Sequence, residues 1–189
     1  TYNMDIVFKT PSNEFRDILS LVPAIYQKDF KDLTTKGTAA FEGFVRGIYA
    51  PGKIPAYSVN AIIKDGFFQY PDLPKPVKDI NLQLKASNVD GQPDNTIIDI
   101  SNATLKFGEE PFSFRVLYKN PETIQYIDAA AKGNLDLGTI GQFVKLEEGT
   151  KLSGQVKADI SGKGNLNVVL KQQPGPFQAN GFFELSKLL

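Results

Sequence analysis

Leu152-Ser153-Gly154-Gln155-Val156-Lys157-Ala158-Asp159-Ile160 is the stretch whose reading decides the fold: apolar or small residues hold every even position and polar ones every odd position. In an extended chain successive side chains point to opposite sides, so this alternation is a strand with one face buried and one wet; a helix would repeat its apolar positions every three to four residues. The same pattern sets Ile80, Leu82, Leu84 and Ala86 against Asn81, Gln83 and Lys85, and Tyr57, Val59, Ala61 and Ile63 against Ser58, Asn60 and Lys64. Further strands are expected over 2–9, 38–49, 96–100, 103–107, 112–118, 127–131, 166–170 and 177–185. Turn signals separate them at Pro51-Gly52, Asp65-Gly66, Asp90-Gly91, Gly108 to Pro111, Asn120-Pro121, Gly162 to Gly164 and Pro174 to Pro176.

Helix signals are few. Thr10-Pro11 opens a helix, and Phe15, Ile18, Leu19 and Val22 follow at helical spacing until Pro23, which predicts one short amphipathic helix over Asn13 to Val22. A second, shorter one is expected over Leu137 to Phe143. Two such helices cannot cover the apolar faces of about ten strands, so the sheet must curl, fold over itself or leave that face to a ligand. The expected fold is therefore mainly β: one large curved antiparallel sheet, a groove or trough, with one or two short helices, spanning 1–189 as a single β-rich segment.

An internal repeat is also legible. The offset that lays Gly37 on Gly154 lays Gly47 on Gly164 and puts Ala39, Phe41 and Val45 on Val156, Ala158 and Gly162, preserving the apolar parity. A helix, loop and long strand used twice, over about 13–49 and 137–164, is one reading; the other is that any two alternating strands with glycines match by chance.

The chain has 21 basic and 21 acidic side chains and a formal net charge of zero, which leaves no polyanion-binding footprint and argues against nucleic acid. It has no histidine and no cysteine. The usual neutral-pH base, the thiol nucleophile and the common zinc and copper ligands are thus missing, and most enzyme mechanisms with them. Zero cysteine suits cytoplasm and bacterial periplasm alike. No stretch approaches the roughly 20 apolar residues of a spanning helix. A chain that enters a strand at once is expected to be a segment of a longer parent, with signal or anchor upstream.

No catalytic, cofactor or metal set emerges. Glu109-Glu110 and Glu147-Glu148 lie beside turn signals and, as neighbours on a strand, would point to opposite faces, so they read as solvated charge rather than an acid–base pair. Asp94, Asp99 and Asp128 lack the Asp/Asn-rich loop with a closing glutamate that calcium needs. Gly162-Lys163-Gly164 is a fragment of a phosphate loop without the rest of the motif, and Ser12, Ser20 and Ser186 have no histidine to serve as base. What remains is the apolar face, rich in aromatics, with 14 phenylalanines, seven tyrosines and no tryptophan. Its candidate ligand-facing residues are Phe41, Val45, Val59, Ile63, Leu82, Leu84, Phe107, Phe114, Val116, Val156 and Ile160.

Phe67-Phe68-Gln69-Tyr70-Pro71-Asp72-Leu73-Pro74-Lys75-Pro76-Val77, leading into the alternating strand from Ile80 and ending in Ala86-Ser87-Asn88, resembles the strand, YPDLP, strand element of AsmA-like proteins of Bacteroidetes-type bacteria. Asp17 to Tyr26 and Lys28 to Asp32 resemble the segment that precedes it there. The similarity runs from about Phe8 to Gly164 and thins after Leu170. The resemblance implies a periplasmic segment of a parent anchored in the inner membrane, involved in outer-membrane assembly or lipid homeostasis. It implies a β-groove that handles phospholipid or another glycerolipid, with no catalytic motif to carry over. The expected partners are lipid, the envelope membrane and adjacent segments of the parent chain. The alternative is a structural, scaffolding β-domain of the envelope without bound lipid. An outer-membrane barrel fits less well, since several phenylalanines lie mid-strand rather than in girdles at strand ends. On the bare residues the Tyr70 to Pro76 stretch has two readings: a rigid proline-rich docking edge, or a link that ends one strand and starts the next.

Overall fold

Each alternating segment pairs with the next along the chain, and the result is one open antiparallel sheet. A computed structural model describes residues 1–14, 33–69, 76–140 and 153–186. In chain order the elements are β1 (Tyr2–Lys9), β2 (Asn13–Glu14), β3 (Thr34–Tyr49), β4 (Ala56–Gln69), β5 (Val77–Asn88), β6 (Ile97–Phe107), β7 (Glu110–Lys119), β8 (Tyr126–Asp136), α1 (Leu137–Ile140), β9 (Gln155–Asn165), α2 (Leu166–Leu170) and β10 (Phe177–Ser186), with a 3-10 turn at Pro93–Asn95. The sheet order is β1-β3-β4-β5-β6-β7-β8-β9-β10, with β2 continuing the β1 edge alongside β3. From β3 onward this is a plain meander whose two edges do not meet, so the sheet is not a closed barrel.

The turns follow from their residues. Ala50 and Lys53 exchange both backbone hydrogen bonds around Pro51-Gly52, with Gly52 at φ 72, which is the proline-then-glycine order of a type II turn. Gly108-Glu109 reverses the chain between the paired residues Phe107 and Glu110. The β5–β6 connection is built around Asn88, a polar side chain only 1% exposed. Its Nδ2 donates to the Gln92 carbonyl at 2.6 Å and to Thr96 Oγ1 at 3.2 Å, while its Oδ1 accepts from the Gly91 amide at 2.7 Å.

Two expected turns lie inside strands. Gly162 and Gly164 are paired on both sides within β9, opposite Ala129 and Ile127 of β8 and Ala179 and Phe177 of β10. Asp65-Gly66 is an irregularity within β4, with Asp65 at φ 51, beside a matching one in β5 where Asp79 takes φ 54. Gly37 of β3, at φ 96, lies against it: a Cβ there would sit 2.4 Å from the Asp65 carbonyl oxygen. These bulges bend the strands, and each inserted residue keeps the apolar parity. Ile63 and Gly66 would otherwise face opposite ways, yet they pair with Leu82 and Ile80 on one side of the sheet. The expected strands over 96–100 and 103–107 are likewise one strand, β6, with its irregularity between Ile100 and Ala103.

The helix expected over Asn13 to Val22 is a strand where it can be followed, since Asn13 and Glu14 pair with Ala39 and Thr38; residues 15–22 lie outside the described residues. The second expected helix is present as α1, and 141–143 lie outside the description, as do Tyr70 to Lys75 and Glu147-Glu148. Leu166–Leu170, expected as a strand, is the helical turn α2. The chain must reverse there between β9 and β10, and the Lys171 and Gln173 amides close onto the Asn167 and Val168 carbonyls while Asn167 Nδ2 donates to the Thr123 carbonyl.

No second layer covers the sheet among the described residues. Apart from Pro55, the buried apolar side chains are Ala39, Val77 and Ala103. The chain exposes 12526 Å², where a compact monomer of its 20.8 kDa would expose roughly 8,900 Å². Asn88→Ala leaves the Gly91 amide without its partner in a closed turn and the Gln92 carbonyl with the Asn95 amide alone, and is expected to lower stability by about 2 kcal/mol in urea denaturation. An unchanged midpoint would mean that Asn88 does not hold this turn.

Candidate functional site

Residues directly opposite one another in a ladder share a face, so the register assigns every strand position to one side. All eleven candidates fall on the same side. The row through Phe41 runs Phe41, Ala61, Leu84, Ile100, Val116, Ala129, Gly162, Ala179 from β3 to β10. The row through Val59 runs Phe8, Gly43, Val59, Ala86, Ile98, Tyr118, Ile127, Gly164, Phe177 from β1 to β10. The row through Ile63 runs Ala39, Ile63, Leu82, Ala103, Phe114, Ala131, Ile160, Gly181. Val45 stands opposite Ile6 and Tyr57, Phe107 opposite Val77, and Val156 opposite Leu135 and Leu185. The three rows contain no charged side chain. At about 4.8 Å per strand the longest is a track of roughly 38 Å across the strands.

The structure draws some candidates together and leaves others apart. Phe114, Val116 and Ile160 line one shallow cavity of about 410 Å³ with Phe112, Ala129 and Ala131. Its floor is low because β8 presents alanines between the bulky side chains of β7 and β9. Phe107, Phe112 and Phe114 form a chain of tilted rings with centroids 6.0 and 6.1 Å apart. Phe41 packs on Phe8 at 5.7 Å, away from the furrow. Ile160 remains 45% exposed.

Three residues that line the furrow are not among the eleven candidates: Phe112, Ala129 and Ala131. Phe112 was readable from its two-residue spacing to Phe114. The alanines were not, because Ala129-Ala130-Ala131 carries no polarity contrast to reveal that Ala130 points the other way.

The opposite face is polar and laced with ion pairs between neighbouring strands. Asp5 meets Arg46 at 3.0 Å, Lys9 meets Glu42 at 3.0 Å, Arg115 meets Asp128 at 2.8 Å and Lys132 meets Asp159 at 2.8 Å. Near the β5–β7 end Lys106 meets Asp79 at 2.7 Å and Lys78 meets Glu109 at 2.6 Å. The Lys106 hydrogen bond holds the Asp79 carboxyl below its ordinary range and is returned as an upward shift of Lys106, while Lys78 lowers Glu109 in the same way. Glu109 is therefore a paired turn charge rather than a merely solvated one. A larger concavity than the furrow, about 720 Å³, opens on this polar face between Asp79, Lys106, Lys132, Lys157, Asp159 and Phe182. A twisted sheet is saddle-shaped, so each face is concave along one diagonal.

Asp94 is a structural carboxylate. It accepts from the Glu122 and Thr123 amides at 3.0 Å and from Thr123 Oγ1 at 2.7 Å, tying the β5–β6 connection to the β7–β8 connection, and these bonds lower its pKa. Asp99 lies mid-strand in β6 and Asp128 is engaged by Arg115, so the three aspartates do not converge. No group of three or more potential metal ligands occurs among the described residues, and no helix among them is long and apolar enough to cross a membrane.

Comparison with family models, with curated proteins and with solved structures returns no match to this chain. Ala131→Phe fills the furrow from its floor and is expected to leave the circular dichroism spectrum unchanged while cutting the binding of anilinonaphthalene sulfonate several-fold. Undiminished dye binding by the folded variant would place the apolar ligand surface elsewhere.

Proposed function

We propose that this chain is a non-enzymatic lipid-binding, lipid-passing segment of an AsmA-like envelope protein, working in the periplasm of a parent anchored in the inner membrane. The observation that carries the reading is the continuous apolar face, which runs from edge to edge of the sheet with no second layer over it among the described residues. A soluble monomer seldom shows a contiguous apolar patch beyond a few hundred Å², and a larger one marks a surface that meets another apolar body. The resemblance of 67–88 to the AsmA-like element supports lipid as that body.

The mechanism needs no reacting group. Acyl chains lie along the rows, each buried methylene contributing about 0.8 kcal/mol, while headgroups stay at the wet margin. Alanines and glycines recur in every row between larger side chains, so no position forms a closed pocket that fixes one chain length. Many shallow sites of similar affinity let a lipid move from row to row. The partners are then phospholipid or another glycerolipid, the envelope membrane and neighbouring segments of the parent. The scaffolding alternative draws support from the two open edges of the sheet, but it gives the uncovered apolar face no role.

Charge placed on each face separates the readings. Val156→Glu and Leu84→Glu put a carboxylate on the apolar track, where an unpaired charge costs several kcal/mol unless water reaches it. On an open face the variants are expected to fold and to lose co-purified lipid in mass spectrometry. Lys157→Glu and Lys85→Glu, one residue away on the polar face, are expected to keep it. Full lipid retention by folded Val156→Glu and Leu84→Glu would overturn the proposal, and unfolding of both would mean that the face is a closed core.

A further inference from the structure

The hollow on the polar face is built around β7. Pro111 and Ser113 form its floor, with Lys106 of β6 opposite the first and Lys132 of β8 opposite the second. Each lysine turns away from β7 to reach a carboxylate, Lys106 to Asp79 of β5 at 2.7 Å and Lys132 to Asp159 of β9 at 2.8 Å. What they leave over β7 is a space of about 720 Å³, walled by aliphatic lysine stems and by Phe182 on its β10 side. That is the size of a small-molecule site, in which a largely apolar lining carries a few placed polar groups.

The charges select the ligand. Three lysines, Lys106, Lys132 and Lys157, line the hollow against two aspartates, Asp79 and Asp159. Both aspartates already hold a lysine, and each lies on the far side of that lysine from the floor. An ammonium carries three N–H donors, so Lys106 and Lys132 keep donors beyond the one that each ion pair takes. Lys157 of β9 stands opposite Asn134, two residues from Lys132, and opposite Glu184 on its other side. It makes no ion pair among the described residues. A body seated on the floor therefore meets cations before carboxylates. We propose that this hollow is a second ligand site, for a small soluble organic oxyanion: a ring-sized apolar body lies over Pro111 and Ser113, and its carboxylate or phosphate ester is held by Lys157 and Lys132. Neither half suffices alone. Exposed lysines hold a bare anion weakly, and the floor by itself gives a hydrocarbon no polar anchor. The site lies across the sheet from the lipid track and does not depend on it.

Amide chemical shifts of the whole chain, followed during titration, test this. Phenyl phosphate and benzoate are expected to saturate at about 1 mM, as suits ligands of that size, and to move amides of β6 to β9. Inorganic phosphate and acetate, which lack the body, are expected to bind at least about tenfold more weakly. Lys157→Gln is expected to cut the affinity for phenyl phosphate about tenfold. Lys163→Gln removes the same charge from the same face of β9, outside the hollow, and is expected to keep that affinity. Ser113→Phe fills the floor and is expected to abolish binding with an unchanged circular dichroism spectrum, whereas Ala131→Phe, on the other face, is expected to leave it intact. The proposal is overturned if neither probe saturates by about 10 mM, or if inorganic phosphate binds as well as phenyl phosphate. It is overturned equally if Lys163→Gln weakens binding as much as Lys157→Gln, or if folded Ser113→Phe binds fully. Displacement of phenyl phosphate by phosphatidylglycerol vesicles would assign the oxyanion to a lipid headgroup and overturn the soluble ligand.

Discussion

Everything in this sheet depends on register. A strand alternates with period two, so two faces of opposite character exist only if each neighbour is paired without a one-residue slip. The eight antiparallel ladders along β1, β3 and onward to β10 keep that parity throughout, including across the irregularities between Ile63 and Gly66 and between Ile100 and Ala103. A slip at either place would carry the apolar residues beyond it to the polar side; between Ile100 and Ala103 it would part the row through Ile63 from the other two. Bulges are usually read as interruptions; here they are what keeps the rows continuous while the sheet bends.

With no second layer among the described residues, stability comes from neighbours within the sheet. On the apolar side that means cross-strand contacts such as Phe8 with Phe41 and Phe107 with Phe112, each such pair contributing roughly 0.2–1 kcal/mol. On the polar side Arg46 lies over the Phe44 ring at 5.3 Å and Lys36 over Phe67 at 5.7 Å. The interstrand ion pairs are largely exposed, and exposed pairs contribute little to stability. Their larger effect is on register, since Lys132 opposite Asp159 and Arg46 opposite Asp5 are satisfied only in the observed pairing.

The sequence carried the faces more fully than the boundaries. Alternation needs only polarity contrast, so Val156 with Lys157 and Leu84 with Lys85 place themselves, and all eleven candidates share one face. Glycine misled, because Gly162-Lys163-Gly164 and Asp65-Gly66 have the composition of turns, and only pairing on both sides shows that the strand runs through them. Leu166 to Leu170 is rich in the branched apolar residues that strands favour, but the chain has to reverse there. The furrow was hidden because it is made of what is absent: Ala129 and Ala131 matter by being smaller than Phe114, Val116 and Ile160 around them.

An apolar face held only by its own neighbours has a thermodynamic consequence. Side chains such as Ile160 and Phe183 remain substantially exposed in the folded sheet, so part of the hydrophobic gain available to this sequence is not realised by folding alone. A second apolar body laid on the rows completes that burial and binds only the folded, in-register sheet, so occupancy and stability are linked by mass action. The same geometry limits selectivity. A closed cavity discriminates by volume, whereas a track open along its length meets a longer chain with one more row of alanine, glycine and leucine. Such a surface is suited to holding and releasing many related amphiphiles rather than to retaining one.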